Sequence, residues 1–191
     1  MVVETLVHGE RTNAILGWLT TAVVLLAAIE SFLTGAYLWS GLAISIVVVL
    51  AVPAVTSGSP TAMVPWPLPA VAAAAVVLRA VEFYPDITGY VAISSIALIL
   101  VVELDVYTDV QLSRRFAIIF ATMTTMALQA VWIIAQFYSD RWLGTVFLQS
   151  QTELQWDIVS ITVVAIVLGS VFEWYFGRFD PVQSFDRQPS R

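Results

Sequence analysis

The chain has 191 residues, of which 59% are hydrophobic and only 12% charged, about half the charged share of a typical soluble domain. A mean hydropathy of +0.87 excludes both an ordinary water-soluble globule and a disordered chain, which needs low hydrophobicity. Fourteen acids against eight arginines, with no lysine, give a net charge of −6, so no nucleic-acid partner is expected.

Six apolar stretches are long enough to cross a hydrocarbon core of about 30 Å as helices of about 20 residues. They are predicted at 14–33, 36–56, 64–83, 88–108, 116–138 and 157–176. Their apolar residues lack the strict alternation of barrel strands, and only helices or closed barrels satisfy the backbone in lipid. The expected fold is therefore all-α, a polytopic membrane bundle of six transmembrane helices. It forms one domain over 1–178, followed by a short polar cytoplasmic tail at 179–191. The first span ends at Glu30-Ser31 without a small-residue cleavage pattern, which argues against a secretory signal.

Breakers fall between these spans. Thr34-Gly35 separates the first two, Ser57-Gly58-Ser59-Pro60 closes the second, and Pro65, Pro67 and Pro69 surround the start of the third, where proline's missing N–H is tolerated. Pro85-Asp86 and Gly89 mark the next turn, and 106–115 reads as a charged loop. The longest polar connection is read at 140–156, with Trp142 and Trp156 suited to anchor it at headgroup level.

Arginine placement sets the expected orientation. With the N-terminus cytoplasmic, Arg11, Arg114, Arg115, Arg178, Arg187 and Arg191 lie inside and only Arg79 and Arg141 outside. Six against two favours a cell-membrane protein with both termini cytoplasmic. The outer side then carries six acids against its two arginines, which suits cations better than anions.

Ionisable residues within a span cost about 2.5 to 3.5 kcal/mol each on insertion scales, so each is a functional candidate. Arg79 and Glu82 stand three apart, the spacing at which helical side chains meet. They read as an internal ion pair or, more sharply, as an arginine presenting its fork to a lipid phosphate or carboxylate. Glu30, at the same depth, is an alternative partner for Arg79. Glu103 reads either as the partner of Arg114 or Arg115 or as a protonatable carboxylate in a transport path.

Gln129, Trp132, Gln136 and Asp140 follow offsets of three, four and four, forming one stripe on the fifth helix. Such a stripe commonly mediates helix contact; its functional reading is the lining of an outward-opening polar cleft, closed by Asp157. Asp157 is equally suited to a helix start, where the dipole favours an acid. Thr122, Thr124, Thr125, Ser94 and Ser95 read as packing residues.

The stretch from Thr124 to Ser170 resembles the YjdF-like family of small inner-membrane proteins, and more loosely the VanZ-like proteins. The likeness lies in Trp132, Asp140, Leu143-Gly144-Thr145, Gln149 or Gln151, Trp156-Asp157 and Gly169. Ile133, Gln136 and Ile161 stand where that pattern has acids. The resemblance implies a multi-pass fold, and its VanZ-like side hints at envelope-lipid roles.

Three functions fit. The first is a non-enzymatic protein holding a lipid headgroup or small amphiphile with Arg79, Glu82, Gln129, Trp132, Gln136, Asp140 and Asp157. The second is a proton- or cation-coupled transporter or channel, with Glu30 and Glu103 on its path. The third is a structural subunit without ligand. Membrane lipids are the expected partners, beside a second copy or another membrane protein. An enzyme has little support. No glycine-rich phosphate loop, nucleophile elbow or His-Glu-x-x-His signature occurs. With no cysteine and a single histidine, His8, no cofactor or metal site is expected.

Overall fold

The computed structural model describes residues 9–107, 114–147 and 151–179. Among these the chain is all-α. Its six helices are α1 (Glu10–Leu33), α2 (Tyr37–Ser57), α3 (Pro67–Ala80), α4 (Pro85–Tyr107), α5 (Arg114–Leu143) and α6 (Gln151–Phe179). The expected tail beyond residue 179 and the loop at 108–113 lie outside the described residues.

Local chemistry sets the helix ends. Gly35 takes φ +82, a left-handed conformation open to glycine, and lets the Ala36 N–H reach back to the Ser31 carbonyl at 2.8 Å. Gly58, at φ +65, ends α2 in the same way. Pro67 supplies the first helical residue of α3, where its fixed φ is already that of a helix. Pro53 lies buried inside α2, where it removes one intrahelical donor.

α4 is the central element. It packs against α2, α3, α5 and α6, while α1 packs against α2 and α3. Residues 92–99 of α4 are buried on every face. Two thirds of its apolar window is covered, against a third or less for the corresponding windows of α1, α2 and α5. A helix apolar all round belongs in the middle of a bundle. Around it sit Ile46, Leu50, Leu68 and Ala72, each with 1% exposure or less. The Ser40 hydroxyl donates to the Ala28 carbonyl at 2.8 Å, fixing α2 on α1.

The outer faces are apolar as well. Leu26 and Leu33 on α1, Val48 and Val55 on α2, Ile134 on α5 and Val163 on α6 are all more than half exposed. Among the described residues four helices are long and apolar enough to cross a membrane: Arg11–Leu33, Tyr37–Ser57, Ile87–Tyr107 and Ile119–Leu143.

Three expectations change. The third helix covers Pro67–Ala80, 14 residues, or about 21 Å at 1.5 Å per residue, instead of 64–83. It stops early because the chain turns through Glu82 (φ 57) and Tyr84 (φ 46), conformations that a helix cannot contain. The fifth helix runs on to Leu143, so Asp140 and Trp142 belong to its last turn. The sixth begins at Gln151, shortening the expected 140–156 connection, and its described apolar stretch is Ile158–Val171.

Candidate functional site

Trp39, near the start of α2, is the hub of one end of the bundle. The Arg79 guanidinium, from the last turn of α3, lies 4.3 Å from the centre of its ring, within cation–π range. The Trp132 ring, from α5, is centred 4.9 Å away at an interplanar angle of 53°. The third side is Gly89 of α4: a Cβ there would lie 2.9 Å from Cη2 of Trp39, so glycine is what lets the indole seat against the backbone. Four helices thus meet on one ring.

Below this hub the environment closes. Trp132 packs with Ile93 and Ile161 in a small core that Leu38, Leu42, Tyr90 and Leu128 complete. Gln129, one turn before Trp132, is 4% exposed. Its Oε1, the Trp39 Nε1 and the Ser94 Oγ are buried and have no hydrogen-bond partner among the described residues. Such atoms carry a desolvation cost that a bound polar group would relieve. Arg79 itself is only half-buried.

The remaining predicted residues are distributed as follows. Along the α5 stripe, Gln129 and Trp132 are buried, whereas Gln136 and Asp140 are half-buried. Asp140 holds its own chain: Oδ1 accepts the Thr145 hydroxyl at 2.7 Å and the Phe147 N–H at 2.9 Å, and Thr145 also meets Ser139 at 2.8 Å. Gly144, at φ +68, allows the return. Glu82 is exposed and beyond the end of α3, so the helical i, i+3 register expected with Arg79 is not formed. Glu30 is exposed at the end of α1, where its carbonyl accepts from Thr34. Asp157 is on α6, but its side chain lies outside the described residues, as do those of Arg114 and Arg115.

Glu103 stands apart, towards the opposite end of α4. It is 8% exposed and its Oε1 has no partner among the described residues. No group of three or more His, Cys, Asp or Glu able to hold a metal occurs among the described residues.

Sequence reading passed over Trp39 and Asn13. Asn13 clamps α1 to the segment before α3: its Nδ2 donates to the Met63 and Val64 carbonyls at 3.3 and 3.2 Å, and its Oδ1 accepts the Trp66 N–H at 2.7 Å. The sequence's single asparagine, one residue before the first predicted span, was the available signal. For Trp39 no signal separated it from the other interface-level aromatics.

The described residues form an all-α fold with four helices able by length and composition to cross a membrane. A family model described as a domain of unknown function (DUF8268) matches residues 2–63, a stretch that takes in α1, α2 and the turn after them. No curated protein and no solved structure matched the chain.

Proposed function

We propose that the chain is a multi-pass integral membrane protein, its six helices embedded in the cell membrane with both termini cytoplasmic, that binds a lipid headgroup at the Arg79 end without catalysing a reaction. The apolar outer faces of α1, α2, α5 and α6 support the embedding, because exposed apolar surface on this scale calls for lipid or partners. The six-to-two arginine distribution supports the orientation. α3, too short to cross alone, is carried in the bundle by α1 and α4, against which it packs.

The observation that carries the binding reading is the Trp39 indole N–H, buried and without a hydrogen-bond partner among the described residues, under a half-buried guanidinium resting on the same ring. An oxygen-rich headgroup that draws Arg79 aside would meet both donors at once, and a phosphate matches the guanidinium fork. Gln129 stays beneath as a buried acceptor for a headgroup hydroxyl. Asp140 leaves the proposed ligand set, since its Oδ1 holds the 144–147 loop.

The test is native mass spectrometry of the full chain released from detergent, comparing wild type with Arg79→Gln and Trp39→Phe. Loss of co-purifying phospholipid in both variants supports the reading. Equal lipid retention in all three overturns it in favour of a structural subunit. The second reading, a proton or cation path, rests on Glu103, whose buried carboxylate oxygen, without a partner among the described residues, is the kind of intramembrane group that pumps and carriers use. Proton-dependent flux into proteoliposomes that Glu103→Gln abolishes would favour it.

A further inference from the structure

At the end of the bundle opposite Arg79, an open groove of about 570 Å³ lies between the first turns of α1 and the segment after α2, lined by residues that include Arg11, Ile15, Trp18, Leu19, Pro60 and Thr61. We infer that this groove is a binding site for an anionic phospholipid, with Arg11 at its mouth holding the phosphate and an acyl chain lying on Ile15 and Leu19. The inference rests on the reading that α1 crosses the bilayer, and is independent of the Arg79 site.

The walls are preformed. The Trp18 indole donates to the Pro60 carbonyl at 2.9 Å, which fixes the ring as one side. Behind it the Asn13 clamp holds 63–66 on α1, and Gly17 lets Met63 approach so closely that an added Cβ would lie 2.7 Å from its Cγ. Ser59 and Thr61 hydroxyls meet at 2.9 Å, ordering the rim. A site whose walls are already held costs little to fill.

Charge and polarity sort along the groove as they do along a phospholipid. Arg11, Ile15 and Leu19 are spaced four apart and so share one helix face. Arg11 is exposed, and Ile15 and Leu19 are 60% and 58% exposed. The same side continues through Leu26, 66% exposed, toward Leu33, 78% exposed, which gives an apolar track from the mouth across the helix. α1 has 24 residues, about 36 Å of helix against a core of about 30 Å, so Arg11 in its first turn reaches headgroup level.

The experiment uses the full chain in nanodiscs of phosphatidylcholine doped with photoreactive phosphatidylglycerol, with crosslinks mapped by peptide mass spectrometry. Crosslinks are expected to concentrate on Ile15, Trp18 and Leu19, to exceed those from photoreactive phosphatidylcholine, and to fall about fivefold in Arg11→Gln, the value of one basic residue against anionic lipid. Leu19→Trp, which fills the groove, should reduce them while leaving the helices folded by circular dichroism. Arg79→Gln should leave them unchanged, which separates this site from the one on Trp39. Labelling spread evenly over Val48 and Val163, indifference to Arg11→Gln, or crosslinking of α1 to a second copy of the chain would overturn the inference.

Discussion

The side-chain oxygen of Asn13 accepts the backbone N–H of Trp66 at 2.7 Å, joining the first turn of α1 to the residue that precedes α3. The same amide's nitrogen donates to two more backbone groups, Met63 and Val64. Asn13→Ala removes all three contacts and leaves part-buried backbone groups without partners, which costs about 1 to 3 kcal/mol for a group left unsatisfied. Thermal unfolding of the full chain in detergent should show the loss, together with new protease cleavage between Ser57 and Trp66. An unchanged melting temperature would mean that the contact of Met63 with Gly17 and the Trp18–Pro60 hydrogen bond are enough to hold the segment.

Gly89 is the position where a single methyl group does the most harm at the Trp39 hub. Its Cβ would stand 2.9 Å from the indole Cη2, and because Trp39 is held between Arg79 and Trp132 the ring cannot simply slide away. Gly89→Ala should destabilise by about 1 to 3 kcal/mol, the usual cost of overpacking. The double variant Gly89→Ala with Trp39→Phe should recover much of that loss in the same unfolding assay. No recovery would show that the strain lies elsewhere.

Asp140 is expected to act on the loop that follows it. Asp140→Ala should expose the Phe147 amide, seen as faster hydrogen exchange over 144–147, because Oδ1 is its acceptor. Asp140→Asn keeps a side-chain oxygen and should exchange more slowly than the alanine variant. If both variants match wild type, the loop is held by other contacts and Asp140 returns to the candidate ligand residues.

Topology can be read cleanly, since the chain has no cysteine of its own. Single cysteines at Thr34, Ser57 and Glu82, all exposed, should react with an impermeant maleimide in intact cells at positions 34 and 82 only. Reaction at position 57 would reverse the proposed orientation.

Much of the helix layout was legible in the sequence, because Thr34-Gly35 and Ser57-Gly58 are strong stops whose left-handed glycines the structure contains. The third helix was overestimated for a physical reason: apolar content continues through Val81 and Phe83, while the left-handed turn at Glu82 and Tyr84 is closed by local backbone bonds, Glu82 N–H to the Arg79 carbonyl and Phe83 N–H to the Leu78 carbonyl, both at 2.9 Å. The α5 stripe was visible as a spacing. What Asp140 holds was not, since its partners Thr145 and Phe147 become acceptable only once Gly144 turns the chain back. Trp39 was hidden because tryptophan near a span end reads as a membrane-interface residue, and its four-helix role exists only after Arg79, Gly89 and Trp132 converge. The groove at Arg11 pairs residues more than forty apart in sequence, beyond any local pattern.

The central claim is that a phospholipid headgroup engages the Trp39 indole together with Arg79. It is tested most directly by following the Trp39 Nε1–H resonance by nuclear magnetic resonance in nanodiscs of phosphatidylglycerol and phosphatidylcholine, assigned through Trp39→Phe. The account predicts Overhauser contacts from that proton to headgroup protons, lost in Arg79→Gln. Contacts to protein side chains alone, unchanged by the lipid composition and by Arg79→Gln, would contradict it.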